Sequence, residues 1–360
     1  MAWEELKYNK EQINNTGKIL ADNNSPKEEE RKALEVLDNW RAAHGYPMHI
    51  FQMTLKKKSI TIDPNAVVSQ RLKRVPAIRY KLNRIYSGNK PSIKLHQMQD
   101  IGGCRAIVAN ASLARKLYEN YLKGDLKHKL IRKKDYITEP KSQDGYRSFH
   151  IVYEYKSDKG KKEFNGLLTE IQIRSRLQHL WATAVETTGF FTRQAIKSNE
   201  AGPQWIEFFK LISSAFAIME NCPIVPNTPR NEKELYAAIR NKEKELKFID
   251  KMKSWSNAIE FIDKEIKPKI NKKVKFFLLE LDILGKRIAI KSYTEKEEQK
   301  AINDYSALEK RHAGSTDYDI VLVGADNTAD LKKAYPSYFL DTAEFLSYLS
   351  KIVSKYSEFP

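Results

Sequence analysis

Along residues 27–43, KEEERKALEVLDNWRAA, apolar side chains recur at helical spacing. Ala33, Leu34, Leu37 and Trp40 fall on one face of a helix that the following His-Gly-Tyr-Pro is expected to break. From Ile93 to about Gln178 the pattern shifts to short β-branched and aromatic runs, CRAIVA, SFHIVYEYK and GLLTEIQIR, with a helix-like SLARKLYENYL between the first two. A mixed sheet flanked by helices is predicted there. Residues 176–220 return to helical spacing until NCPIVPNTPRN, with three prolines in eleven residues, interrupts it. Beyond lie a long charged helix over 232–266, a hairpin turning near Gly285, another helix, the strand YDIVLVGA and a final helix around TAEFLSYLSKIV. The pattern predicts an α+β protein in three parts: 1–225 with the mixed sheet, 226–270 as a linking helical segment, and 271–360 as a small α+β module. It contains no internal repeat.

Composition refines this picture. The 360 residues suit two or three domains. No apolar run approaches the roughly 20 residues that span a bilayer. The opening MAWEELKYNKEQ has charges where a secretory signal would be apolar, and the two cysteines, Cys104 and Cys222, lie far apart, so a cytoplasmic location is expected. The seven histidines show no Cys/His ligand spacing, and no structural zinc is expected. The formal net charge of +17 matters most, because a basic surface attracts phosphate-rich partners such as nucleotides or RNA. Runs at Lys56–Lys58 and Arg132–Lys134 agree, although a single such run is more often a solvated face.

Candidate chemistry gathers in four stretches. QRLKRVPAIRYKLNR brings Arg71, Lys73, Lys81 and Arg84 within fourteen residues around a proline, either a triphosphate cradle or a basic helix in water. In MQDIGGCRAIV, Asp100 precedes two glycines and Arg105 at a strand entrance. A hard carboxylate oxygen there suits Mg²⁺, and the glycines let phosphate approach the backbone; read alone, the stretch is equally a turn. DGYRSFH offers the Tyr146 ring to stack on a base, Arg147 as a fork for phosphate and His150 as a donor near neutral pH, against a tyrosine corner with a core histidine. In LLTEIQIRSRLQHLWA, strand alternation sets Glu170, Gln172 and Arg174 on one face and turns Ile171 and Ile173 to the core. Burying three such groups unpartnered costs on the order of several kcal/mol, so they must be exposed, paired or liganded.

Taken together, these stretches resemble the synthetase domain of the RelA/SpoT family of nucleotide pyrophosphokinases. The shared motifs run in order: Arg-x-Lys at Arg71 and Lys73, Asp-x-x-Gly-x-Arg from Asp100 to Arg105, Gly-Tyr-Arg-Ser-x-His from Gly145 to His150, Glu-x-Gln-x-Arg from Glu170 to Arg174, and His-x-Trp-Ala from His179 to Ala182. The resemblance implies a nucleotidyltransferase-like mixed sheet with flanking helices, and transfer of the β,γ-pyrophosphate of ATP to a ribose 3′-hydroxyl, leaving AMP. Under it, Arg71, Lys73 and Lys81, with Arg84 in the same cluster, hold the ATP phosphates and Arg105 serves the adenine side. Asp100 and Glu170 hold Mg²⁺, and Glu170 also activates the hydroxyl. Tyr146 stacks on the acceptor base, with Arg147, His150, Gln172 and Arg174 completing that pocket. Ala77 stands where the family usually has serine, and Thr183 where a glutamate usually follows Trp-Ala. No histidine precedes an aspartate, so the family's hydrolase motif is absent.

The wording of RLKRVPAI, MQDIGGCRAIV and the C-terminal DIVLVGADNTADLKKAYPSYFLDTAEFL is similar to the fused toxin–antitoxin, CapRel-type branch of that family. This implies a toxin that pyrophosphorylates the tRNA acceptor end, restrained by a zinc-free pseudo-zinc-finger domain over 271–360. Tyr335 and Tyr338 would fold back on the ATP site until a phage capsid protein releases them in antiviral defence; the bland alternative is that both rings pack the module's own core. The implied partners are tRNA and that trigger, with no membrane, and the chain is read as a monomer. Two other functions stay open: a small alarmone synthetase acting on GDP or GTP, and a catalytically silent sensor of RNA or phage protein, against which the intact Asp100 and Glu170 stand.

Overall fold

The computed structural model describes residues 3–22, 24–83, 93–124, 126–192, 202–257, 260–261, 274–282, 284–285, 287–312, 315, 317–324 and 342–355. The chain opens with α1 (Lys10–Ala21), α2 (Lys27–Ala43) and α3 (Gly45–Ile62). Asn9 and Gln12 form a capping box that starts α1. α2 buries Ala33, Leu37 and Trp40, the face that the spacing predicts. The expected break at His-Gly-Tyr-Pro is shorter than read from sequence: α3 begins at Gly45, and Pro47 sits in its first turn, where a missing N–H leaves no helical bond unmade.

Next come β1 (Val67–Leu72), α4 (Val75–Asn83), β2 (Gly102–Val108), α5 (Ala111–Lys123), β3 (Lys129–Asp135), β4 (Phe149–Glu154) and β5 (Leu168–Ser175). α6 (Arg176–Thr192), α7 (Pro203–Met219), α8 (Glu232–Leu246) and α9 (Phe248–Asn257) follow. The last part holds β6 (Glu260–Phe261), β7 (Val274–Asp282), β8 (Arg287–Thr294), α10 (Glu298–Arg311), β9 (Tyr318–Gly324) and α11 (Ala343–Lys355). The strands form one sheet in the order β3-β4-β5-β2-β1-β9-β7-β8-β6. β2 runs parallel to β5 and antiparallel to β1, so the sheet is mixed and the fold is α+β, as the pattern predicts. β1 and β3 escape the periodicity. KLIRKKD does not alternate because it forms an exposed sheet edge with neither face buried.

Two cores hold the elements. Ile13, Leu37, Phe51, Leu55, Ile171 and Ile173 pack in one cluster with Leu278, Leu322 and Tyr305 of the later elements. The expected parts 1–225 and 271–360 therefore share a core, and they share the sheet through the pairing of Arg71 with Val323 and Gln70 with Gly324. Trp181, Phe208, Phe209, Phe216 and Phe248 build the second core, into which Phe345 of α11 inserts. Its ring lies 5.8 Å from Phe216 and 5.9 Å from Phe248, edge to face. The single helix expected over 232–266 is corrected by the structure. Lys247 adopts a left-handed conformation (φ 49°) that ends α8, and the turn delivers the fully buried Phe248 to the second core. Residues 262–273 lie outside the described ones.

A buried ion pair ties α10 to α2. Arg41 Nη1 lies 2.8 Å from Glu309 Oε2, with the side chains 2% and 8% exposed. The other oxygen, Glu309 Oε1, accepts the Val75 N–H at the start of α4, at 3.0 Å. Arg74, one residue earlier, pairs with Asp319 of β9. Elements late in the chain thus anchor the segment that carries the candidate phosphate-binding cations.

Candidate active site

The first basic stretch is neither a lone cradle loop nor a solvated helix but a strand, a turn and a helix. Arg71 lies on β1, Lys73 in the turn and Lys81 on α4. The Lys73 N–H donates to the Ile101 carbonyl at 2.8 Å, which holds the turn against the entrance of β2. Lys73 Nζ then reaches Asp100 Oδ2 at 2.7 Å, and Lys81 Nζ reaches Asp100 Oδ1 at 3.0 Å. Arg71, Lys73, Asp100, Arg105, Glu170 and Gln172 line one pocket. Its free volume is about 80 Å³, roughly that of a few waters and too small for a nucleotide while both lysines reach across to Asp100. Phosphate oxygens would compete for those same ammonium groups. Arg84 lies outside the described residues, as do Tyr335 and Tyr338.

Beside this pocket five side chains close a hydrogen-bonded ring. Arg174 Nη2 donates to the Tyr146 hydroxyl oxygen at 2.8 Å and to Gln172 Oε1 at 3.0 Å, and Gln172 Nε2 donates to Glu170 Oε2 at 2.7 Å. His150 completes the ring, its Nδ1 2.9 Å from Glu170 Oε1 and its Nε2 2.8 Å from the Tyr146 oxygen. The alternation read from the sequence is correct: Ile171 and Ile173 are fully buried, while Glu170, Gln172 and Arg174 turn to the other face and hydrogen-bond in a row.

The ring sets its own charges. Burial would lower the His150 imidazole, but the Tyr146 oxygen and the Glu170 carboxylate offset this and raise it to about 9. Burial would raise Tyr146, yet Arg174 and His150 draw it down to about 7. Burial also opposes ionisation of Glu170, and the charge and hydrogen bond of His150 reverse that effect, holding the carboxyl well below its usual range. For Asp100 the burial penalty is outweighed by Lys73 and Lys81, so it too stays ionised more readily than a free aspartate. Lys73 is shifted down, chiefly by burial.

Two carboxylates facing one pocket suit Mg²⁺, which commonly takes one or two carboxylates and completes its shell with water and substrate phosphates. Among the described residues no three His, Cys, Asp or Glu side chains converge into a cage.

Two expectations need correction. Arg147 does not reach the pocket. It is buried, donating from Nε to Ser213 Oγ (3.1 Å), from Nη1 to the Ile137 carbonyl (3.1 Å) and from Nη2 to the Pro223 carbonyl. It ties the loop before β4 to α7 and the proline-rich segment, because a guanidinium fork matches three fixed acceptors as well as it matches phosphate. Tyr146 offers no open face in this structure. Its ring is 8% exposed, with Lys141 Nζ 4.9 Å and the Arg174 guanidinium 5.3 Å from its centroid. Gly145 places it there with φ +81°, at a point where a Cβ would come within 3.1 Å of Lys210 Cα.

Of the departures noted in sequence, Ala77 lines the pocket and Thr183 is buried within α6. The motif reading also missed Arg74, which lines the pocket and was visible as the third cation of RLKR, and Lys141, which no spacing marked.

Two carboxylates among several cations, on the face of a mixed sheet, form a polar site whose charges suit a phosphate group. Residues 70–192 match the family model described as the region found in RelA / SpoT proteins, so this part of the chain is similar to that family. Among solved structures it is similar to small alarmone synthetase 1 from Bacillus subtilis, at 21% identity over 52% of this chain and 93% of that one, with a TM-score of 0.42. A GTP pyrophosphokinase family protein from Streptococcus pneumoniae is similar at 22% identity over 49% and 85% of the two chains, with a TM-score of 0.40. No curated protein matches the chain. Among the described residues no helix is long and apolar enough to cross a membrane.

Proposed function

We propose that this protein transfers the β,γ-pyrophosphate of ATP to the ribose 3′-hydroxyl at the acceptor end of tRNA, releasing AMP. The observation that carries the transfer is the convergence of Asp100 and Glu170 with Arg71, Lys73 and Arg105 on one pocket, with Lys81 held to Asp100. Arg71, Lys73 and Lys81 bind the phosphates and align the β-phosphorus for in-line attack. Asp100 and Glu170 would hold Mg²⁺, which would supply neutralisation of charge on the phosphates. The bond from O3′ to the β-phosphorus forms as the bond from that phosphorus to the α–β bridging oxygen breaks. Glu170 accepts the hydrogen bond of the attacking hydroxyl and passes its proton to solvent. A carboxylate held this far below its usual range is a weak base, which a loose phosphoryl-transfer transition state tolerates. His150, Gln172, Arg174 and Tyr146 keep Glu170 oriented.

The net charge of +17 supports tRNA as acceptor, since one GDP engages only a few cations. The likeness of the C-terminal wording to the fused toxin–antitoxin branch supports restraint by residues 271–360 through Tyr335 and Tyr338, with a phage capsid protein as trigger. Incubation with γ-labelled ATP and either bulk tRNA or GDP tests the acceptor. Label is expected on tRNA with AMP released in equal amount; label on GDP and never on tRNA would return the protein to the alarmone synthetases. Replacing both tyrosines with alanine is expected to make expression toxic without phage. Normal growth of cells carrying a catalytically competent double variant would remove the restraint.

A further inference from the structure

The sheet edge farthest from the C-terminal strands is β3, and every residue from Lys129 to Lys134 is exposed. Lys129, Arg132 and Lys134 stand opposite Glu154, Val152 and His150 of β4. Directly opposed residues point to the same face. The pairing continues inward from Val152 to Glu170 and from His150 to Gln172. It then runs to Gly103 and Arg105 on β2, and from Gly103 to Arg71 on β1. One transverse row is therefore Arg132, Val152, Glu170, Gly103 and Arg71. At the usual strand spacing the Arg132 backbone lies about 10 Å from that of Glu170, on the side away from Arg71.

Cations often guard sheet edges against unwanted pairing. Here the strand already carries a register shift between Leu130 and Arg132, an irregularity that blunts an edge without charge. Guarding also needs no preferred face, yet three of the four cations on β3 lie on the face of the site and only Lys133 lies on the other. No ion pair among the described residues engages them.

We infer that β3 is the surface on which a polynucleotide acceptor lays its sugar–phosphate backbone, with Lys129, Arg132 and Lys134 contacting phosphates while the 3′ end crosses β4 to Glu170. This deepens the acceptor reading above and rests on it. A nucleotide chain, unlike a lone nucleotide, has a row of phosphates to place along this edge.

Binding of fluorescently labelled tRNA to the full chain without ATP, between about 50 and 300 mM salt, tests the surface. The triple variant K129Q/R132Q/K134Q is expected to bind about tenfold more weakly or worse at the lowest salt, and its log–log salt slope to be shallower by about 2 to 3. Lys133→Gln removes one charge from the opposite face and is expected to stay within about twofold of the parent. Should the triple variant misfold, Arg132→Gln alone carries the test, with a slope change of about 1. Unchanged affinity and slope would overturn the inference, as would a Lys133 effect matching a third of the triple loss. Unchanged RNA binding with new self-association would likewise overturn it and assign the cations to edge protection. Normal RNA binding without label transfer would refute the reaction and leave this surface standing, whereas undiminished transfer to tRNA by the triple variant would do the reverse.

Discussion

Glu170→Gln is expected to slow pyrophosphate transfer by about 10³-fold or more, through loss of the metal-binding charge and of the hydroxyl's acceptor together. Glutamine keeps the size of the side chain, and its amide oxygen still accepts from His150, so the fold should survive. Under the proposed reaction, the charge that would hold the metal is gone. Single-turnover label transfer measures the effect, and a variant within tenfold of the parent would remove Glu170 from the chemistry. A second readout does not depend on activity. The Glu170 carboxylate helps raise His150 to about 9, so in the variant the ring should titrate nearer the ordinary value of about 6.5, seen by NMR. The linkage follows in sign. A histidine raised in the folded state contributes stability that is full below about pH 6.5 and is lost as pH climbs through about 9. Glu170, depressed in the folded state, contributes stability present above the ordinary carboxylate range and lost only in strong acid. Tyr146, drawn down to about 7 from an ordinary value of about 10, gains stability over the same rise in pH and offsets the His150 loss, so the titration of the His150 ring itself is the readout.

Glu309→Ala is expected to cost about 3 to 5 kcal/mol in urea unfolding, because it leaves the buried Arg41 guanidinium without its nearest anion. Asp38, 3.6 Å from Arg41, compensates only in part. The same substitution strips the Val75 N–H of its acceptor at the start of α4, which carries Lys81. ATP affinity should fall with stability, as isothermal titration would show. The double variant Arg41→Met with Glu309→Leu separates the effects: removing both charges restores most of the stability but leaves α4 uncapped and ATP binding weak. A loss below about 1 kcal/mol in Glu309→Ala would show that the pair does not clamp the two segments.

Much of the site was legible in sequence because its chemistry is local. Glu170, Gln172 and Arg174 share a face through two-residue alternation alone, and Asp100 announced itself by standing before two glycines and a strand. Arg147 was misassigned for an equally physical reason. A guanidinium beside a tyrosine has the same appearance in sequence whether it meets a phosphate or three protein acceptors, and only the position of α7 and the Pro223 carbonyl distinguishes them. β3 escaped notice because an exposed edge strand lacks the alternation that burial imposes, so KLIRKKD looked like one more solvated run.

The sequence by itself determined the class of fold, the family region and the chemical identity of the candidate site, since each rests on residue types at short, fixed spacing. Tertiary structure decided what spacing cannot encode. It brought Glu309 to Arg41 across 268 residues, paired β9 with β1 beside Arg71, and aligned the cations of β3 in register with Glu170. Those relations come from sheet order and the closing of long loops, where the partner of a residue is chosen by packing of the whole chain rather than by its neighbours in sequence.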